Sequence, residues 1–336
     1  ICFAFASLIY EKIEKPIRFN KKNKNLAVNS LLVIYLLFVI FIEYKKNNLK
    51  VSILNSVAFN EIIGNDSSVL KYDLEYNEDD ISHDSFFYNL NKNHFPCHNE
   101  TINKESQIYR YDVDYDKYIN RCFQSKYNDI PDLVLIGDSH AEHFYPGFVE
   151  MWPNLNISYF NKPDPPYITS HPFKKIFKYI NENKKIKTII LSAKWDDLLV
   201  FREQWAINNN TNLTIEEEIT QLLSNLDKKK KIILLNDVPT FNFHPLECKN
   251  NKKCSGDLQN YIILREQTNE ILESISKSNK NIFFIKSSEN FCEINDSKCN
   301  MSHNEKVLYR DPNHLNFFGS KFIVNKIKKD IDEIID

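Results

Sequence analysis

Two short stretches of the chain carry residue types that can activate a serine. The first is Leu133-Val134-Leu135-Ile136-Gly137-Asp138-Ser139-His140, an apolar run that ends on a glycine and a serine. A serine hydroxyl is a poor nucleophile until a base removes its proton. The second stretch, Tyr309-Arg310-Asp311-Pro312-Asn313-His314-Leu315, offers that base. A spacing of three can set the Asp311 carboxylate against one ring nitrogen of His314 and leave the other nitrogen facing outward. Read together, Ser139 is the nucleophile, His314 the base and Asp311 its orienting partner. Each stretch alone has a plainer account. Asp138 or Ser139 would cap a helix, and Asp311 would cap the last helix beside a surface histidine. The absence of both Gly-x-Gly-x-x-Gly and the Lys-bearing glycine loop argues against a nucleotide-phosphate loop.

These residues need a scaffold, and the pattern after Asp132 describes one. Short apolar runs at 133–136, 157–160, 188–191, 232–235 and 282–285 alternate with helix-like stretches near 141–152, 172–183, 213–228, 258–279 and 316–334. Continuous apolar strands alternating with amphipathic helices indicate a parallel sheet covered on both faces. The expectation is an α/β protein, a three-layer α/β/α domain with about five parallel strands. In such sheets chemistry gathers at the carboxyl ends of the strands, where Ser139 falls. Gly137 permits a sharp exit from the first strand. Ser139 then opens a helix whose first N–H groups can face a developing oxyanion. Residues 71–126, rich in Asp, Asn and Tyr with no sustained period, read as an irregular connector.

The N-terminal part has a different character. Lys12, Lys15, Arg18, Lys21, Lys22 and Lys24 precede an uncharged run over 26–42, closed by Glu43, Lys45 and Lys46. At 1.5 Å per residue this run spans about 26 Å, enough for a short transmembrane helix. The excess of Lys and Arg before it makes that side cytoplasmic and puts everything after about residue 50 outside. Six of the seven cysteines follow the span, in the sequential couples Cys97/Cys122, Cys248/Cys254 and Cys292/Cys299. Disulfides are the favoured reading in an oxidising compartment; free thiols are the alternative, and no Cys-x-x-Cys knuckle argues for a metal site. With 43 basic against 45 acidic residues, nothing in the net charge draws the chain to nucleic acid.

Together the motifs resemble the extracytoplasmic SGNH/GDSL hydrolase-like domain fused to acyltransferase-3 membrane proteins, the O-acetyltransferases of bacterial surface polysaccharide. Gly137-Asp138-Ser139-His140 is similar to the family's first block, and Tyr309 to Leu315 to its last. Ile13-Glu14-Lys15-Pro16-Ile17-Arg18 looks like the cytoplasmic motif that ends the membrane region. The resemblance implies three parts: the end of the membrane region over 1–50, a linker and accessory region over 51–130, and the SGNH-like domain over 131–336. It implies transfer of an acyl group, acetyl by analogy, to a glycan such as lipopolysaccharide O-antigen through an acyl-Ser139. The SGNH-like domain would bind no cofactor or metal, while acetyl-CoA or another acyl donor would serve the membrane region. Its partners would be that donor, the glycan acceptor, the bilayer of the bacterial inner membrane and the rest of the membrane domain, with the site in the periplasm. An esterase using the same triad and a non-enzymatic glycan-binding domain remain as alternatives.

The departures from the family pattern are informative. No glycine lies between Gly147 and Gly256, so a second-block oxyanion donor is not visible. The third block reads Leu191-Ser192-Ala193-Lys194-Trp195-Asp196-Asp197, where Trp195 either shapes the pocket or packs beneath it. Gly137, Asp138 and His140 are further candidates for the pocket. His140 and His143 share a helical face without a third ligand to suggest a metal. Asn236 and Asp237 read as a polar turn before Pro239. Tyr145 and the 163–167 loop are candidates for stacking on a sugar.

Overall fold

A computed structural model describes residues 81–336, apart from 111–116, 128, 163–165, 168–170, 251–252, 258, 294–297 and 336. The described residues belong to one compact unit, Tyr76–Asp336. The expected membrane span at 26–42 and the cytoplasmic motif before it lie outside the described residues. No helix among those described is long and apolar enough to cross a membrane.

Five parallel strands form the centre: β3 (Leu133–Gly137), β4 (Ile157–Asn161), β5 (Thr188–Ser192), β6 (Lys231–Leu235) and β7 (Ile282–Ile285). They coincide with the five apolar runs to within a residue. Two short strands, β1 (Phe95–Pro96) and β2 (Cys122–Gln124), extend the edge beside β4 in antiparallel pairing. The sheet order is therefore β1-β2-β4-β3-β5-β6-β7. The expected parallel sheet of five strands is corrected to a mixed sheet of seven. The two added strands have two and three residues, too short to show an apolar run, and they come from the stretch read as irregular. That stretch also forms helix α1 (His83–Asn93), capped by Ser82.

Why the central runs are apolar throughout is visible in their packing. Leu133 and Leu135 enter one core and Val134 and Ile136 the other; Ile233 and Leu235 alternate with Ile232 and Leu234 in the same way. Side chains leave a strand on alternate faces, so a strand covered on both sides must be apolar at every position. Helices α3 (Tyr145–Met151) and α7 (Phe317–Ile335) cover the first face together with α1. Helices α4 (His171–Glu182), α5 (Ile215–Leu223) and α6 (Gln259–Ser278) cover the second. The three layers follow.

Two local features set the last helix over the end of β3. A Cβ on Gly147 would lie 2.4 Å from the Ser320 carbonyl oxygen, so α3 and α7 cross with their backbones almost touching. Gly147 N donates to Ser320 Oγ at 2.9 Å across that crossing. Asn316 caps α7 by accepting from Gly319 N at 2.8 Å, and its amide donates to Val307 O. The three sequential cysteine couples are disulfides, and Cys97–Cys122 ties the segment after α1 to β2.

Candidate active site

Within the parallel strands the order is β4-β3-β5-β6-β7, so β3 is flanked by the second and third strands of the series. This is the switch point of an open α/β sheet, where a crevice opens beyond the carboxyl ends. Gly137 ends β3 with φ 151°, and a Cβ there would lie 1.7 Å from the Ser192 carbonyl oxygen. Only glycine allows β3 to leave the sheet so close to β5. Asp138 follows as the N-cap of the one-turn helix α2 (Ser139–Glu142). Its Oδ1 accepts from His140 N at 2.8 Å and its Oδ2 from Lys194 N at 3.0 Å. Asp138 thus ties α2 to the segment after β5. Ser139 occupies the first helical position, half-buried, and its backbone N–H has no intrahelical acceptor.

His314 reaches Ser139 from the loop before α7. Its Nε2 lies 2.8 Å from Ser139 Oγ and its Nδ1 2.8 Å from Asp311 Oδ2. The loop is closed on itself. Arg310 N donates to His314 O at 2.9 Å, and Asp311 Oδ1 accepts from both Asn313 N and His314 N at 2.8 Å. Phe241 N donates to Pro312 O from outside. The spacing of three therefore does what it suggested, and the plainer account of Asp311 as a helix cap is not what the loop uses, since Asn316 caps α7. Burial alone would raise the Asp311 carboxyl, but hydrogen bonds from His314 and His83 hold it well below the usual carboxylate range. Burial pulls His314 down to about 4 against the hydrogen bond of Asp311, and the charges of Arg310 and His140 add to the fall. The imidazole is thus neutral near pH 7, the form a base requires.

Two partners of the site were not legible as such. His83, on α1, places Nε2 2.9 Å from Asp311 Oδ2, the same oxygen that holds His314. Asp237, read as part of a turn, lies at the end of β6 and grips the buried His140: Nδ1 is 2.7 Å from Oδ2 and 2.9 Å from Oδ1. His140 belongs to the site, then, but beneath it rather than lining it. A functional reading of Asp237 had one available signal, its place just past the carboxyl end of a central strand. Asn236 is structural, its side chain bonded to Ser287, Ser288 and Asn269. His143 is buried, with Nδ1 3.5 Å from Leu315 N. Arg310 is buried too, its guanidinium 3.7 Å from the Phe86 ring centroid and its Nη1 donating to Leu315 O.

Other candidates sit away from the nucleophile. Trp195 is buried in the core of the second face and donates its indole N–H to Leu235 O at 2.8 Å, so it packs beneath the site. Lys194 pairs with Asp197. Tyr145 and Tyr167 are both buried in the core, which corrects the expectation that they stack on a sugar; residues 163–165 of that loop lie outside the described residues. Asn161 stands opposite Gly137 in the β3–β4 register, and its Nδ2 is buried with no partner among the described residues. No group of three or more His, Cys, Asp or Glu among the described residues is arranged to hold a metal ion.

A family model described as the SGNH domain fused to AT3 domains matches residues 97–329. The chain belongs to this family. The match takes in Cys97 and β2 as well as the five parallel strands. No curated protein matches the chain. Among solved structures, the periplasmic domain of a lipopolysaccharide acetyltransferase from Salmonella ser. Paratyphi A is 18% identical with a TM-score of 0.43, covering 60% of this chain and 83% of that one. Est24, a carbohydrate acetylesterase from Sinorhizobium meliloti, is 11% identical with a TM-score of 0.35, covering 60% of this chain and 99% of its own.

Proposed function

We propose that this SGNH domain transfers an acyl group, acetyl by family analogy, to a hydroxyl of a bacterial surface polysaccharide such as lipopolysaccharide O-antigen. The observation that carries the reading is the unbroken line from Asp311 Oδ2 through His314 to Ser139 Oγ, with both contacts at 2.8 Å. In the first half-reaction His314 Nε2 takes the Ser139 proton as Oγ bonds to the acyl carbonyl carbon. The Ser139 N–H stabilises the oxyanion. The tetrahedral adduct collapses, and His314 returns the proton to the departing group of the donor. In the second half-reaction a sugar hydroxyl gives its proton to His314 and attacks the acyl-serine. Ser139 leaves as the alkoxide and recovers that proton. Asp311 keeps the His314 Nδ1 proton in place and stabilises the imidazolium in both halves.

The setting is part of the same proposal. Three disulfides suit an oxidising compartment, which supports a periplasmic or extracellular domain. The family is described as fused to AT3 domains, which supports a membrane partner that delivers the acyl donor, with residues 26–42 anchoring the domain in the inner membrane. The test supplies an activated acetyl ester and candidate glycans to the chain and follows free acetate and acetylated sugar together. Acetylated sugar that disappears with Ser139→Ala is the expected result. Acetate release without any sugar product would overturn transfer, and unchanged turnover by Ser139→Ala would overturn the nucleophile.

A further inference from the structure

Behind the line of Ser139, His314 and Asp311 lies a second imidazole–carboxylate pair that the acyl-transfer steps do not use. His140 and Asp237 have side chains only 3% and 8% exposed. Burying two ionisable groups costs desolvation that a hydrophobic pair of similar volume would avoid, so stability alone gives little reason for them. Their placement suggests another reason. The His140 ring centroid is 4.8 Å from that of His314, with 51° between the planes. We propose that His140 and Asp237 are a positioning pair for His314: Asp237 holds His140 as a cation against the back of the base and thereby keeps His314 unprotonated and turned toward Ser139. The proposal rests on the reading of His314 as the base.

The charges around the two rings are consistent with this division. Burial pulls the His140 imidazolium down, but attraction and hydrogen bonding from Asp237 carry it up to about 9. Burial pushes Asp237 up, against the pull of His140. In the proposed arrangement the proton of the pair rests on His140, whose Nδ1 lies within 2.9 Å of both Asp237 oxygens. Asp138 reinforces the cation and Lys194 opposes it, while Asp196 faces Asp237 from the segment after β5. His314 faces Asp311 and Arg310 on its own loop, His140 and His143 from α2 and its end, and His83 from α1. Burial keeps His143 neutral, well below the ordinary histidine range. Of these neighbours, His140 is the cation whose charge depends most on Asp237, 97 residues away.

The test measures kcat/KM of the chain for 4-nitrophenyl acetate between pH 3.5 and 8. Asp237→Asn leaves His140 neutral, and the acid limb assigned to His314 is expected to rise by about one pH unit. His140→Gln should move the limb the same way, and the double variant no further than either single change. Asp237→Glu should restore the wild-type limb. An unmoved limb in a folded Asp237→Asn protein, even a slower one, would overturn the proposal and leave the pair a packing element. If the variants do not fold, the imidazole nitrogen chemical shifts of the wild-type chain decide: His140 doubly protonated at pH 7 beside a neutral His314 supports the pair, and a neutral His140 refutes it. Ser139→Ala reports separately, since turnover that survives it would sink the acyl-serine reading.

Discussion

Asp311→Asn tests the site most sharply, because the structure determines how the new amide must sit. Asp311 Oδ1 accepts two backbone N–H groups, from Asn313 and His314, each at 2.8 Å. An asparagine keeps its oxygen at that position, since the flipped amide would set two donors against two donors. Its NH2 then replaces Oδ2 and faces His314 Nδ1. The imidazole must offer a lone pair there and move its proton to Nε2, the atom that should accept from Ser139 Oγ. The variant loses the base as well as the charge. A carboxylate and an imidazolium with centres about 4 Å apart interact by about 4 kcal/mol at an effective dielectric of 20. The side chains are only 12% and 16% exposed, so water screens this little. That loss is about 10³-fold in rate, and the wrong tautomer adds to it. The assay is the acylation burst with a chromogenic acetate ester at pH 7, beside the thermal midpoint. A fall of less than tenfold in a protein that melts normally would refute the reasoning, because it would mean that His314 works without Asp311.

Three further outcomes follow from the same geometry. Since His314 is held down to about 4, kcat/KM should stay level from pH 7 to about 5 and fall through an acid limb near 4; a limb near 6.5 would show an imidazole unaffected by its surroundings. The same depression makes the contribution of His314 to stability decline as pH drops below about 6.5, the value of an unfolded histidine, because the unfolded chain then binds the proton first. His83→Ala should lower kcat/KM less than about fivefold, since a ring with its side chain 54% exposed contributes at most about 1 kcal/mol through its contact with Asp311. A loss above a hundredfold would mean that α1 holds the carboxylate in place.

The parts read correctly from the sequence are those whose physics is local. Each of the five parallel strands is buried on both faces, so its apolar run announces it without knowledge of its neighbours. Asp311 and His314 are three residues apart in one closed loop, and their mutual contact is a property of that loop. Gly137, Asp138 and Ser139 form a strand exit, a cap and a first helical turn in immediate succession. The six cysteines among the described residues pair with their nearest neighbours along the chain, so their order already held the answer.

What the sequence left open depends on distant segments meeting. Asp237 is 97 residues from His140 and looked like any polar turn, because nothing near it shows that β6 lies two strands from β3. His83 and the edge strands sit in a stretch without period, where order comes from docking, from the Cys97–Cys122 bond and from pairing with β4. The burial of Trp195, Tyr145 and Tyr167 depends on which layer covers them, and an aromatic type alone serves a core and a sugar platform equally. A local pattern could name Ser139, Asp311 and His314. The approach of Ser139 to His314, and the second histidine set behind it, required β3 and α7 to be brought together across 175 residues by the close crossing at Gly147 and Ser320.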